Sequence, residues 1–258
     1  MFSPEKIVLL YDGSYEGLLT TVFECYQNKW NPEMIVKEYR FQQGLFDSPK
    51  TIISDMPKAE RVLKGLRRKL TAGGVNSLRL AFHSEFSDIE MTILRFIQRT
   101  IASKINIEQD YRQDEVLRIK QVRKMMNREI HRMHAFVRFQ KTADSIYAAT
   151  IKPDFDVMPF IGDHFRKRYA DQQWLIYDTL RDYGLYYDLR TMEFVKLNNP
   201  EWEEHKQIRQ SILTEEEVDF KKLWKEYFQS TSIKERKNMK LHLQHVPRRY
   251  WRYLPEKL

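Results

Sequence analysis

Apolar and polar positions along this chain alternate between two periods. Ile7–Tyr11 is a short apolar run that reads as a strand. Asp12-Gly13 turns it, and Ser14 is placed to cap a helix from Tyr15 to Trp30, with Leu18, Leu19, Val22, Phe23 and Tyr26 as its buried face. Asn31-Pro32 stops that helix, Met34–Tyr39 reads as a second strand, and Phe41–Pro57 reads as loop. Lys58–Ala72 is a basic helix ended by Gly73-Gly74, and Ser77–Phe86 is a shorter one. Ser87-Asp88-Ile89-Glu90 has the form of a capping box, followed by the helical stripe Ile89, Ile93, Phe96, Ile97 and Ile101.

Asp114 can cap the next helix, whose apolar stripe is Val116, Ile119, Val122, Met126, Ile130 and Met133. The period then changes. Phe136, Val137 and Phe139, with Ile146, Tyr147 and Ile151, predict a hairpin turning near Asp144-Ser145 and closed by Pro153. Pro159 suits the first turn of a helix reaching Tyr169. Trp174–Asp178, Leu185–Leu189 and Met192–Leu197 predict a meander with turns at Asp182-Tyr183-Gly184 and Arg190-Thr191. Thr214-Glu215-Glu216-Glu217 is a second capping box, and a last helix spans Ile233–Gln244 before Pro247. The order predicts an α+β fold, with helices at both ends around a small antiparallel sheet of hairpins. Without repeats or low-complexity linkers, residues 1–258 read as a single domain, with any sub-boundary near Tyr111 or within 198–212.

Composition narrows the class. At 258 residues and 13% aromatic content, the chain can build a proper core. The single cysteine, Cys25, excludes a disulfide framework or a cysteine-ligated cluster within the chain, and its apolar helical setting makes it a core thiol. The start, Met1-Phe2-Ser3-Pro4-Glu5-Lys6, does not resemble a signal peptide, and no apolar stretch reaches membrane-spanning length. A cytoplasmic protein with no membrane partner is expected. The net charge is +8. From Thr231 to Leu258 there are eight Lys/Arg against two acids, whereas Glu201–Asp219 holds seven acids and two bases. Such asymmetry favours an anionic partner on one surface.

The densest chemistry is His131-Arg132-Met133-His134-Ala135-Phe136-Val137-Arg138-Phe139, at the junction of helix and hairpin. His131 and His134 are three apart and share a helix face. They are candidates for general acid/base work, because imidazole titrates near neutrality, and weak candidates for metal ligation if His164 or Asp156 supplies a third donor. No zinc signature is present, and junction imidazoles also serve simply by bonding backbone or a carboxylate. Lys120, Arg123, Lys124, Asn127, Arg128 and His131 lie opposite the apolar stripe, with no acid between Glu115 and Glu129. That suits phosphate contact, and it also suits an ordinary solvated face. Arg132, Arg138, Arg166 and Arg168 are further phosphate-binding candidates. Arg248-Arg249-Tyr250-Trp251-Arg252-Tyr253 interleaves cations with rings, either to grip phosphates and stack on bases or to dock on the core. Asp12 and Ser14 read as turn and cap residues.

Three segments carry a resemblance. The His131–Phe139 run, Tyr11-Asp12-Gly13-Ser14-Tyr15-Glu16-Gly17-Leu18-Leu19 and Pro247-Arg248-Arg249-Tyr250-Trp251-Arg252-Tyr253-Leu254-Pro255 occur in the expected order. Together they resemble a bacterial family labelled "probable DNA metabolism protein". Such proteins are similar to a domain fused to uracil-DNA glycosylase-like domains or paired with a radical-SAM protein of DNA repair or modification. The resemblance implies a setting of DNA repair, and it brings no catalytic residues with it. No segment resembles a uracil-glycosylase catalytic loop, and no cysteines are available for a radical-SAM cluster, so those activities would belong to partners.

The expected function is therefore a nucleic-acid-binding accessory of DNA repair or modification that works with a glycosylase-like or radical-SAM enzyme. No cofactor is expected, and no complete catalytic constellation is visible. Two alternatives stay open: a DNA-processing enzyme using His131 or His134 as base or ligand, and a protein adaptor without DNA affinity.

Overall fold

The computed structural model describes residues 7–42, 49–197 and 246–254. The chain forms two compact units, residues 1–126 and 127–258.

The first unit opens with β1 (Val8–Tyr11), α1 (Tyr15–Gln27), β2 (Met34–Lys37), a 3-10 turn (Glu38–Arg40) and β3 (Pro49–Ile52). All of β1 is buried, because it is the middle strand of a parallel sheet ordered β2-β1-β3. A parallel strand covered on both faces reads as a continuous apolar run, which is how Val8-Leu9-Leu10-Tyr11 appears. Ser14 caps α1 as expected, its Oγ accepting from the Gly17 N–H at 2.8 Å. α2 (Met56–Arg67), α3 (Ala72–Phe82) and α4 (Ile89–Ala102) follow, then the start of α5 (Asp114–Phe136).

Three expectations change here. The stretch read as loop, 41–57, contains β3, an edge strand whose Lys50 and Thr51 are exposed. Gly73-Gly74 does not end a helix. Thr71 caps α3 and places both glycines in its first turn, where a Cβ on Gly74 would lie 2.5 Å from the Glu108 carboxyl carbon. A helix does start at Ile89, but its N-cap Asp88 makes no capping bond to backbone. Asp88 instead accepts two hydrogen bonds from Arg118, and Glu90 turns inward to accept one from Tyr11 Oη at 3.0 Å.

The second unit comprises the rest of α5, β4 (Gln140–Lys141), β5 (Tyr147–Ile151), α6 (Met158–Arg168), β6 (Trp174–Asp178), β7 (Tyr183–Tyr187), β8 (Met192–Val195) and a 3-10 helix (Arg248–Tyr253). Its sheet runs β4-β5-β6-β7-β8. The α+β class holds, and the hairpins β4-β5, β6-β7 and β7-β8 are antiparallel as expected. The sheet as a whole is mixed, because β5 and β6 pair in parallel from Tyr147↔Trp174 to Ile151↔Asp178. The reason is that α6 lies between them in sequence, and a strand-helix-strand crossover returns the chain in the same direction. Trp174, Phe165, Ile176, Ile161 and Met158 form the centre of this core.

The expected helices after Thr214 and over Ile233–Gln244, the acidic block at 201–219 and the 198–212 boundary lie outside the described residues. No described helix is long and apolar enough to cross a membrane.

Candidate functional site

In the second unit the junction run and the carboxyl-terminal run come together on one side chain that the apolar periodicity hides. Glu129 lies on α5 between Met126 and Met133, on the buried stripe, and is 1% exposed. The stripe passes through this acid, whereas Ile130 is only partly covered. A buried carboxylate is tolerable only when its lone pairs are filled. Glu129 Oε1 accepts from the Asp154 backbone N–H at 2.9 Å and from the Tyr250 hydroxyl. Its Oε2 accepts from Arg249 Nη2 at 3.2 Å and Arg132 Nη1 at 3.4 Å.

Arg249 also reaches Asp154 Oδ2 at 2.7 Å and donates to Tyr250 Oη at 2.7 Å. Burial, reinforced by the Glu129 carboxylate, raises the Tyr250 hydroxyl well above the usual phenol range, so it stays protonated and donates. The Tyr250 ring packs against Phe136 with centroids 5.4 Å apart. The 3-10 helix is thereby pinned to α5 and to the loop after β5.

That loop is tied down from its other side. Arg181 donates to the carbonyls of Pro153 and Asp154 and to the buried Asp178 carboxylate at 2.8 Å. Burial raises the Asp178 carboxyl even though Arg181 pulls it down. Asp156 accepts from the Tyr183 hydroxyl. The cluster thus sits at the carboxyl ends of the parallel pair β5/β6, where Ile151 and Asp178 are in register.

The histidines take separate places. His131 is exposed. His134 is half-buried and stacks on His164 of α6, centroids 4.0 Å apart and planes 15° from parallel. Burial lowers His134 to about 4, with His164 and His131 adding to the effect. Burial, then Arg168, also lowers His164. Neutral rings stack where two imidazolium ions would repel. Nitrogen lone pairs lie in the ring planes, so stacked rings do not converge on one ion, and Asp156 is engaged by Tyr183. Among the described residues no group of three or more His, Cys, Asp or Glu gathers as a metal site.

The remaining cations divide by surroundings. Arg132 is used on Glu129, and Arg138 caps the end of α5 through the Ala135 carbonyl at 2.7 Å. Arg166 is exposed and pairs with Asp163 at 3.1 Å, and Arg168 is exposed beside Tyr169. Lys120, Arg123 and Lys124 of the first unit and Arg128 of the second are exposed on α5, with the Lys120 ammonium 3.5 Å from the Tyr111 ring centroid. On the 3-10 helix, Tyr250 faces the core and Arg249 bends to the Glu129 and Asp154 carboxylates while staying partly exposed, whereas Arg248 and Arg252 are exposed over the half-buried rings of Trp251 and Tyr253. Of the two readings of this run, docking on the core holds for Tyr250, and Arg248 and Arg252 are left at the surface.

Sequence reading missed Glu129, Asp154, Asp178 and Arg181. The available signal was an acid on an apolar helical stripe, followed by a carboxyl-terminal run rich in donors.

Residues 87–256 match a family described as a domain of unknown function, DUF4130, and the chain belongs to that family. No curated protein matches the chain.

Proposed function

We propose that this DUF4130 protein is a nucleic-acid-binding accessory of DNA repair or modification, serving a partner enzyme of the glycosylase-like or radical-SAM kind. The observation that carries the reading is the division of labour on the 3-10 helix. Arg249 and Tyr250 hold it to the Glu129 carboxylate, and Arg248 and Arg252 remain at the surface, each beside an aromatic ring. Guanidinium and ring together match a phosphate and its neighbouring unstacked base. The pinned backbone lowers the entropy lost on binding. The exposed Arg166, Lys167 and Arg168 add positive charge to the same unit. The DNA setting itself rests on the resemblance of the three sequence segments, and the basic net charge of +8 agrees with it.

Fluorescence anisotropy with single-stranded, duplex and uracil-containing oligonucleotides across a salt series tests this. Binding should weaken steeply with salt, and Arg248→Ala/Arg252→Ala should reduce the log–log salt slope by about two. Absence of binding to every oligonucleotide at low salt would overturn the reading and leave a protein adaptor.

A further inference from the structure

The cations of the first unit divide into those that have an acid and those that do not. Lys58 pairs with Glu24 at 2.6 Å, Arg112 with Asp110 and Arg118 with Asp88 at 2.8 Å, and Arg99 with Glu115. The outer face of α2 breaks this pattern. Ala59, Val62 and Leu66 carry its buried side. From Glu60 to Arg68 every exposed position is charged, and apart from Glu60 all are cations: Arg61, Lys64, Arg67 and Arg68. Among the described residues none of these cations makes an ion pair, with Glu60 or with any other acid. Like charges three and four positions apart repel on a helix, and Lys64 has Arg61, Arg67 and Arg68 at those spacings. The helix dipole favours Lys64 and Arg67 in the last turn. Arg61 lies mid-helix and gains nothing from it. The face is therefore a block of positive charge held against its own repulsion, and an anionic partner would relieve it.

The block continues beyond α2. Lys69 donates to the carbonyls of Ile101 and Ser103 at 2.7 and 2.6 Å. Glu108 accepts from the Thr71 N–H at 2.6 Å and from its hydroxyl at 2.9 Å. These bonds fasten the loop between α4 and α5 to the end of α2. Arg123 of α5 acts electrostatically on the Glu108 carboxylate, so the exposed Lys120, Arg123 and Lys124 lie near that end. The acids along the way are engaged: Glu108 by Thr71 and Asn106, Asp110 by Arg112, and Glu115 by Arg99.

We infer that the outer face of α2, with Lys120, Arg123 and Lys124 of α5, is a second nucleic-acid surface that grips the sugar-phosphate backbone by charge. This rests on the nucleic-acid reading above and places a further contact surface in the other unit. Arg61, Lys64 and Arg68 span about 10 Å along the helix. Duplex DNA presents a charge about every 1.7 Å of its axis, so each cation has a phosphate within reach. No aliphatic or aromatic side chain stands exposed among the α2 cations. The face thus lacks the apolar wedge with which an interfacial helix enters a lipid layer, and the buried anchor on which a protein interface depends.

The test is the salt dependence of oligonucleotide binding by the whole chain, read by fluorescence anisotropy. The variants are Arg61→Gln/Lys64→Gln, Arg67→Gln/Arg68→Gln and, as a control for net charge, Arg190→Gln/Lys196→Gln on the β7-β8 hairpin. Each α2 pair should lower the log–log salt slope by about two, and by the same amount on every sequence, because phosphate contacts carry no sequence information. The control pair should leave the slope unchanged. Glutamine keeps helix propensity and relieves like-charge repulsion, so Tm should hold or rise, and lost binding then reports lost contact. Equal losses from the control pair would reduce the effect to net charge and overturn the inference. So would α2 variants that bind oligonucleotides as wild type does, whether or not they lose binding to vesicles of phosphatidylserine, which would assign the face to a membrane surface. Unchanged binding in the α2 variants with a reduced slope in Arg248→Ala/Arg252→Ala removes this surface alone. No binding by wild type removes this surface and the nucleic-acid reading together.

Discussion

Glu129 shows how a single residue can organise two sequence signatures. Its carboxylate is nearly inaccessible, and Tyr250, Arg249, Arg132 and the Asp154 N–H all donate to it. Replacing it leaves two guanidiniums and a phenol beside a cavity without their acceptor. Glu129→Ala should cost about 3–5 kcal/mol, the range for breaking a buried ion pair from one side. Tyr250→Phe, which deletes one hydroxyl and keeps the ring on Phe136, should cost about 1–3 kcal/mol. Urea denaturation of the full chain measures both, and equal costs would mean that the Tyr250 hydroxyl alone accounts for what the carboxylate contributes.

The stacked imidazoles make a different prediction. His134 is held near 4 in the folded protein against 6.5 for an ordinary imidazole. The unfolded state therefore binds the proton first as pH falls. Stability is intact above about 6.5 and declines as pH drops towards about 4, and His164 acts in the same direction. Several carboxylates also lose stabilisation on acidification, Asp88 and Asp188 among them. The diagnostic is thus the difference between wild type and His134→Phe: the variant should show a shallower decline between pH 6.5 and 4. Parallel pH curves would show that the stack does not resist protonation.

At the scale of elements, the sequence was legible where local chemistry decides. The unit β1-α1-β2 could be read because an apolar run, an Asp-Gly turn and a Ser cap agree on one structure. Ser14→Ala should cost about 1 kcal/mol, whereas Ser87→Ala should change stability by less than about 0.5 kcal/mol, because Ser87 is exposed and the capping box predicted there does not form. Thermal melts of the two variants check this, and similar losses would restore the capping box. Gly17, in the first turn of α1, has a steric reason to be glycine: a Cβ there would lie 2.2 Å from Asp12 Oδ1. β3 was illegible because Pro49-Lys50-Thr51-Ile52 is short and half exposed, so it carries no period. The direction of β6 was equally hidden. Alternation marks a strand, but pairing partners are decided by the crossover through α6.

At the scale of the molecule, charge and periodicity marked Arg248 and Arg252 as candidate contacts but did not show which residues of the same run turn inward. Tyr250 is a core residue because a buried acid lies 121 positions away in sequence, and no local pattern reports a contact that distant. The division into two compact units was similarly out of reach, since it falls inside α5, an unbroken helix from Asp114 to Phe136. Val122 and Met126 are buried in the first unit and Glu129 and Met133 in the second, so one helical stripe serves two cores. A unit with its own core opens with its own free energy. Tyr250→Phe loosens only the second, so it should speed amide exchange in β5, β6 and β7 and leave β1 and β2 unchanged. Hydrogen exchange read by mass spectrometry gives the answer. Acceleration spread over both sheets would mean that α5 transmits the loss and that the chain unfolds as one cooperative body.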